Sequence, residues 1–527
     1  MCRSRLSRVF TFVLFVVANF VASAATNEPG ADIFAPNAPV LRIKVEIPNT
    51  GWRSLQHDAR KPVPATVREG ENVYSNVMVH LKGAVGSFRD ISSNPSLTLS
   101  FGKSDPNQRF HGLHKIHLNN SVQDGSQTTY LITSMMFNEA NVPAARVTNA
   151  RFWLNGRDLG MYVVVEGFTK DFLRRYFKDT KGNLYDGGFC QDIDSNLERD
   201  SGEGDDTKAD LKAVVRAANF PDRTQRWEKL KKVVDVDRFV DYMVLETFMW
   251  DWDGYPAKAN NYRVYHDPST DKVTFIPHGM DQMFWEPQGH VWRPLAGGMV
   301  ARAIMETPEG AKLYHDRVQP VFEKAFRIDE VTNRIDQLTE RNRKAAQEVG
   351  RGFANNWEGN VHEVRRRIVE RWAFIKNQIE NEPKPMDFSK PVFVKNWRQQ
   401  IEMGGARLDQ PQIEGKPSLH IAANGQSTAS WRSSLMLDPG RYRFEAMART
   451  AKLNATRDSK GEGAGIRISG SNQPRRNSVA GDAGWTKLQY DFEVQGAQSE
   501  VVLVCESRAN RGEVWFDASS LKLEKLR

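Results

Sequence analysis

Between residues 38 and 120 apolar and polar positions alternate in short runs, VLRIKVEIP, SNVMVHLKG, NPSLTLSF and LHKIHLNN, set apart by Gly, Asn, Asp and Pro. A period of two over such lengths predicts strands, here in a mostly antiparallel sheet. Asp124-Gly125-Ser126 then offers capping residues for a helix through Leu131, Met135, Met136 and Glu139. The stretch ARFWLNGRDLGMYVVVEG predicts a hairpin turning at Asn155-Gly156. Strands, one helix and a hairpin in that order predict an α+β lobe.

The pattern changes at Asp186, where the chain becomes acidic and glycine-rich as far as Asp210. DIDSNLERDSGE, from Asp192 to Glu203, has the carboxylate spacing of a calcium loop, but Leu197 stands where the sharp turn needs Gly, so an acidic, mobile or substrate-facing loop is expected. From Leu211 to about Ile379 the period is helical, clearest where Val361, Val364, Ile368, Trp372, Ile375 and Ile379 recur at intervals of three and four. That stripe predicts core. Pro383 and Pro385 break it and mark a linker. Beyond residue 390 alternation returns: Tyr442, Phe444 and Ala446 share one face, Leu488, Tyr490, Phe492 and Val494 repeat the pattern, and VVLVC and EVWFD follow. Many short strands with turn signals predict a β-sandwich over 390–527, after an α+β region over 38–385.

The N-terminus stands apart. Arg3, Arg5 and Arg8 precede an apolar run from Val9 to Val21, and Ala22-Ser23-Ala24 supplies the small residues a signal peptidase reads, so residues 1–24 are expected to be a cleaved export signal. Their removal lowers the formal charge from +8 to +5. The remaining basic residues, such as Arg365-Arg366-Arg367, lack interleaved stacking aromatics and predict solvated helix faces, with no nucleic acid partner. Cys190 and Cys505 fall in different predicted domains and suggest two isolated thiols. With 40% apolar and 26% charged residues the chain has the composition of a folded soluble protein.

The densest chemistry lies in WDWDGYPAKANNYRVYHDPSTDKVTFIPHGMDQMF, residues 250 to 284. The helix DRFVDYMVLETFMW delivers Asp251 and Asp253 into a loop kept irregular by Gly254 and Pro256 and closed by Asn260-Asn261. NYRVY and VTFIP then form a hairpin that brings this loop beside Asp281. Two acids and an amide at strand ends suit a magnesium nucleotide, with hard oxygen ligands for the ion and a further carboxylate to accept a hydroxyl proton. A polar loop in which Asp and Asn cap turns has the same spacing.

This stretch, with HLKGAVGSF before it and LNGRDLGMYVVVEGF between, resembles the CotH family of spore-coat protein kinases, over roughly residues 40 to 380. The resemblance implies an atypical protein-kinase-like fold that uses ATP and Mg2+ for phosphoryl transfer to a protein acceptor. By it, Asp253 looks like the catalytic-loop acid, while Asn261 and Asp281 look like metal ligands. Asp251 and Asn260 are their adjacent reserves. Gly83, Gly86 and Ser87 look like a turn against phosphates, Lys115 and Lys82 like candidates for the phosphate-pairing cation, and Glu166 like the acid linking the lobes. Two positions depart from the family pattern: Asn94-Pro95-Ser96 lacks the expected basic residue, and Gly279 in HGMDQ replaces an acid. The C-terminal region resembles carbohydrate-binding jelly-roll modules through PGRYRFEA, GDAGWTKLQYDFEV and GEVWFD, which makes Trp431, Trp485 and Trp515 candidate sugar platforms.

The sequence thus predicts an exported periplasmic, cell-surface or extracellular kinase-like enzyme, localised by a β-sandwich that binds polysaccharide. The alternative is an inactive kinase-fold scaffold or a glycan-binding structural protein of the envelope.

Overall fold

The computed structural model describes residues 28–526, apart from 204–205, 383–385, 387, 472–473 and 495–498. The expected export signal and the Pro383–Pro385 linker therefore lie outside the described residues. No helix among the described residues is long and apolar enough to cross a membrane.

Seven strands, β1 (Leu41–Glu46), β2 (Val63–Glu69), β3 (Asn72–Lys82), β4 (Ser96–Ser100), β5 (Lys115–Asn119), β6 (Val147–Leu154) and β7 (Arg157–Glu166), close into a barrel in the order β1-β2-β3-β4-β5-β7-β6. Its pairings are antiparallel, as the alternation predicts, except at the closure. There β1 runs parallel to β6, with Leu41 opposite Ala150. The hairpin between β6 and β7 turns at Asn155 and Gly156, both with positive φ, as a two-residue primed turn requires. Val79, Leu81, Leu97, Leu99, Ile116 and Leu118 fill the barrel. Because side chains alternate along a strand, His80 and Lys82 of β3, Thr98 of β4, and Lys115 and His117 of β5 stand on the outer face.

That outer face meets a second lobe. Its four-stranded sheet contains β8 (Leu184–Asp186), β9 (Glu198–Ser201), β10 (Tyr262–Asp267) and β11 (Lys272–Pro277), in the order β11-β10-β8-β9. The helices Thr129–Glu139, Val236–Met249, Pro308–Ala325, Ile328–Val349 and Arg351–Glu380 contribute to one continuous apolar core with this sheet. Val361, Val364, Ile368 and Ile375 are buried in it, and Trp372 packs on its margin. The capping residues upstream act as predicted: Asp124 accepts from the backbone N–H groups of Thr128 at 3.2 Å and Thr129 at 3.0 Å.

The acidic segment differs from the loop its composition suggests. Part of it is β9, and Asp192 is an internal anchor that accepts from the Tyr255 hydroxyl at 2.9 Å and the Met299 N–H at 2.6 Å. The aromatic partner of Asp192 lies 63 residues away, beyond what local spacing records.

The C-terminal region is β-sandwich-like, with its own apolar core around Trp431, Phe444, Leu503 and Phe516. The strand Ser499–Asp517 pairs throughout with Lys416–Leu437, with Gly461–Ile468 over one half, and with Gly440–Ala455 over the other. A register shift between Asn424 and Ser427 bends the longest strand.

Candidate functional site

The helix Val236–Met249 ends where Trp250 turns left-handed, and the Asp251 N–H closes back on the Glu246 carbonyl at 2.8 Å. The next residues wrap around a glycine whose place a larger residue could take only by displacing the Glu246 and Asp251 carboxylates. A Cβ on Gly254 would lie 1.9 Å from Glu246 Oε2 and 2.7 Å from Asp251 Oδ2. Asp251 Oδ1 accepts from the Asp253 N–H at 3.1 Å, and Asp253 Oδ2 accepts from Asn261 Nδ2 at 3.2 Å. Asn261, itself left-handed, accepts at its carbonyl from the His278 N–H at 3.0 Å, which ties the loop to the end of β11 and hence to Asp281. The hairpin thus joins the Asp253–Asn261 loop to the Asp281 segment.

The acids here are poorly compensated. Burial, reinforced by Asp124, pushes the Asp281 carboxyl up to about 7, and Asp281 forms no salt bridge among the described residues. Burial raises Asp251 to about 6 and Asp253 above its ordinary value. Glu246, buried behind them, is raised well above the carboxylate range by burial and by Asp251, and neither of its oxygens has a hydrogen-bond partner.

Facing these acids is the outer face of β3–β4–β5. Burial and Arg263 lower Lys82 to about 8, while Asp281 and Asp186 draw it upward. Lys82 Nζ donates to Asn119 Oδ1 at 2.7 Å. Lys115 is likewise lowered to about 8 by burial and Arg263. His117 is held well below its ordinary value by burial, Lys82 and Lys115, and His278 falls to about 3 through burial and Arg263. Arg263, on β10, pairs with Asp186 at 2.7 Å and with Asp200, and its guanidinium lies 4.7 Å from the Phe168 ring centroid. Nε of Arg263 and Nε2 of His278 are buried without partners. Crowded cations that depress one another's protonation, with orphaned donors among them, form a surface suited to a polyanion.

The remaining predicted residues separate. Gly83 and Gly86 both take positive φ, and the Ser87 hydroxyl accepts from the Ala84 N–H at 3.2 Å, so 83–88 is a tight turn following Lys82. A Cβ on Gly86 would lie 2.7 Å from Gln123 Nε2, which seats the turn against the segment leading to Asp124. Between the two lysines, Lys82 is the one on which Asp281 acts, whereas Lys115 feels Asp186 alone among the acids. Glu166 stands inside the fold. It is fully buried and bound by Arg146, with Nη2 at 2.7 Å and Nε at 3.2 Å, and by Arg175 at 2.5 Å, so its oxygens are already occupied.

The donors fit magnesium better than a cation that needs a full protein cage. Among the described residues no three His, Cys, Asp or Glu side chains stand together as ligands. Magnesium keeps several waters and takes one or two carboxylates plus phosphate oxygens. Sequence reasoning missed Asp124, Asp186, Arg263, His278 and Glu246. The alternation in VMVHLK and KIHLN was a usable signal, since it places four basic or imidazole side chains on one strand face.

In the sandwich, Trp431 is core, with Nε1 donating to the His420 carbonyl at 3.0 Å. Trp515 stacks on His420 with ring centroids 4.8 Å apart, and Trp485 carries Lys416 Nζ 5.0 Å from its ring while donating to Glu414 at 3.0 Å.

A family model described as CotH kinase protein matches residues 79–399. Inner spore coat protein H of Bacillus subtilis (strain 168) is 22% identical over 306 residues, covering 53% of this chain and 80% of that protein. Invasin CotH3 of Rhizopus delemar is 23% identical over 231 residues, 40% of this chain and 37% of that protein. Among solved structures, one titled "CBM4 structure and function" covers 26% of this chain and 96% of its own at 16% identity and a TM-score of 0.20. A family 35 carbohydrate binding module from Clostridium thermocellum covers 26% of this chain and 100% of its own at 14% identity and a TM-score of 0.20. The family match spans more than half of the 527 residues and includes the loop from Asp251 to Asp281, so the chain belongs to the CotH family.

Proposed function

We propose that the chain is an atypical kinase that transfers the γ-phosphate of ATP to a protein hydroxyl. The observation that carries this reading is that Lys82, on the outer face of the barrel, lies within electrostatic reach of Asp281, which the hairpin joins to the Asp253–Asn261 loop. Lys82, Lys115 and Arg263 bind the phosphates electrostatically, and the 83–88 turn covers them. Asn261 and Asp281 would hold magnesium, which when bound neutralises charge on the phosphates. Asp253 orients the acceptor hydroxyl and takes its proton as the oxygen bonds to the γ-phosphorus and the bond to ADP breaks. Names such as spore coat protein and invasin among the relatives favour work at a surface or outside the cell, as the N-terminal sequence does. The sandwich localises the enzyme on polysaccharide through Trp485 and Trp515, each of which keeps part of its surface accessible.

A second reading, an inactive scaffold, is favoured by one position. Gly279 is left-handed, and a Cβ there would lie 2.6 Å from Asn261 Oδ1, so the missing acid cannot be restored without moving a proposed ligand.

Calorimetry with ATP and magnesium separates the two. Asp281→Ala is expected to abolish nucleotide binding and turnover together, whereas Asp253→Asn keeps binding and lowers turnover by about two or more powers of ten. Absence of binding to the unmodified chain at millimolar ATP rejects the kinase reading. Equal loss of binding in both variants exchanges the roles of the two acids.

A further inference from the structure

Resting on that reading, we infer that the exposed rim formed by the 83–88 turn and the loops around Asp253 and Asp281 is a docking surface for an extended polypeptide acceptor with bulky apolar side chains beside its hydroxyl. Large apolar side chains seldom stand exposed in groups without a partner. Here Val85 (80% exposed) and Phe88 lie on the turn after Lys82, Val122 precedes Gln123, and Trp252 (40%) lies between Asp251 and Asp253. Trp285 (57%) follows Asp281 by four residues. The segments carrying them are physically continuous. Asn120 Nδ2 donates to the Ser87 carbonyl at 3.2 Å, Gln123 abuts Gly86, and the next residue, Asp124, acts electrostatically on both Asp281 and Arg367.

Arg367 gives the surface a fixed point. It belongs to a run whose neighbours behave as solvated cations, since Arg365 and Arg366 pair with Asp336, Glu363 and Glu370 near the surface. Arg367 is only 8% exposed and places its guanidinium 3.7 Å from the Trp285 ring centroid, with Nε 3.7 Å from a Glu363 carboxylate oxygen and Nε and Nη1 lacking hydrogen-bond partners. One face of Trp285 is therefore held by a cation while the side chain remains exposed, which preorganises the indole as an anchor.

The occupant follows from chemistry and continuity. The surface adjoins the acid proposed to receive the hydroxyl proton, so whatever docks there presents its hydroxyl to the site. Two valines and a phenylalanine complement aliphatic and aromatic side chains. A sugar would need an open ring face edged by hydrogen-bonding groups, whereas one face of Trp285 is covered by Arg367.

The test uses the full chain, a positional-scanning library of serine-centred peptides, radiolabelled ATP with magnesium, and calorimetry with ATP and magnesium alone. Peptides with Phe, Trp, Leu or Ile beside the serine are expected to be preferred. Trp285→Ala should raise the KM of the best peptide about tenfold or more, as loss of an aromatic anchor does, with nucleotide affinity within about twofold. Trp285→Phe should recover most of that loss. Nucleotide binding with a library that shows no apolar preference overturns the docking surface and leaves the kinase reading intact, as does an unchanged KM in Trp285→Ala. Transfer to oligosaccharides with none to peptides also overturns it. If no nucleotide binds, the kinase reading fails, and fluorescence titration with apolar-flanked and glycine-flanked peptides decides the surface alone. A preference lost in Trp285→Ala sustains it, and equal affinities remove it.

Discussion

Two buried glutamates stand in opposite electrostatic conditions. Glu506 in the sandwich accepts from Arg475 at 2.8 Å, from Arg467 at 2.9 Å and from Arg508 at 2.9 Å and 3.1 Å, and all four residues are buried. Burial alone would raise its carboxyl, yet the three arginines hold it below its ordinary value. Glu246 behind the cleft is equally inaccessible, but its neighbours are Asp251, Asp253 and Tyr242, and its proton affinity is raised. A buried charge compensated by the protein supports the fold. Acids left beside one another in a cleft, with a cationic face opposite, are configured for a charge that arrives with a ligand.

The largest expected effect follows from removing the compensated charge. Glu506→Gln leaves three buried guanidinium groups facing a neutral amide, a change of the kind that costs about 3–5 kcal/mol. Urea unfolding of the full chain should show that loss in the transition of the sandwich, with ATP affinity unchanged. A loss under about 1 kcal/mol would mean that the arginines find other partners, and the distinction between the two glutamates would weaken.

A smaller effect concerns pH at the cleft. Asp281 has a folded pKa of about 7 against an unfolded value near 4, so its contribution to stability is complete below about pH 4 and is lost as pH rises through 7. Magnesium nucleotide requires the ionised form, so affinity should rise by up to about tenfold per pH unit below 7. Lys82, lowered to about 8, loses its proton above that value and should bring affinity down again. Calorimetry between pH 5.5 and 9 measures both limbs. A flat profile would remove Asp281 and Lys82 from the binding step.

The same physics explains what was legible in the sequence. Alternation in VMVHLK and SLTLS located the strands because one face of each is buried in the barrel, and the period of two encodes that burial directly. Parallel closure of β1 on β6 was not legible, since its partners lie more than a hundred residues apart and neither carries a local mark of pairing. Asp253, Asn261 and Asp281 stand out in the sequence because one hairpin joins them within a 29-residue stretch. Asp186 and Arg263 are cross-strand partners in one sheet while Lys82 comes from the barrel, so the three meet only after β8 pairs with β10 and the lobes pack. Glu166 misled for a related reason: its position at a strand end was correct, but Arg146 and Arg175, which occupy its carboxylate, lie on other elements.

The smallest expected effect is the sharpest contrast. Glu246→Gln makes the same chemical substitution as Glu506→Gln, at a site where burial and Asp251 raise the native carboxyl and so favour its protonated form. The amide retains the shape and needs no proton taken up on folding, so the variant should be no less stable than wild type at pH 7. Because the folded carboxyl is raised, its contribution to stability is complete below about pH 4 and is lost as pH rises toward the folded value, and the amide should remove that decline. Urea unfolding of both variants at pH 7 and at pH 9 reads these outcomes side by side. If Glu246→Gln costs as much as Glu506→Gln, Glu246 is ionised and holds a compensating cation of its own. The acids behind the cleft would then be a fold-supporting pair like the one in the sandwich, and Asp281 alone would remain as the uncompensated acid facing the ligand.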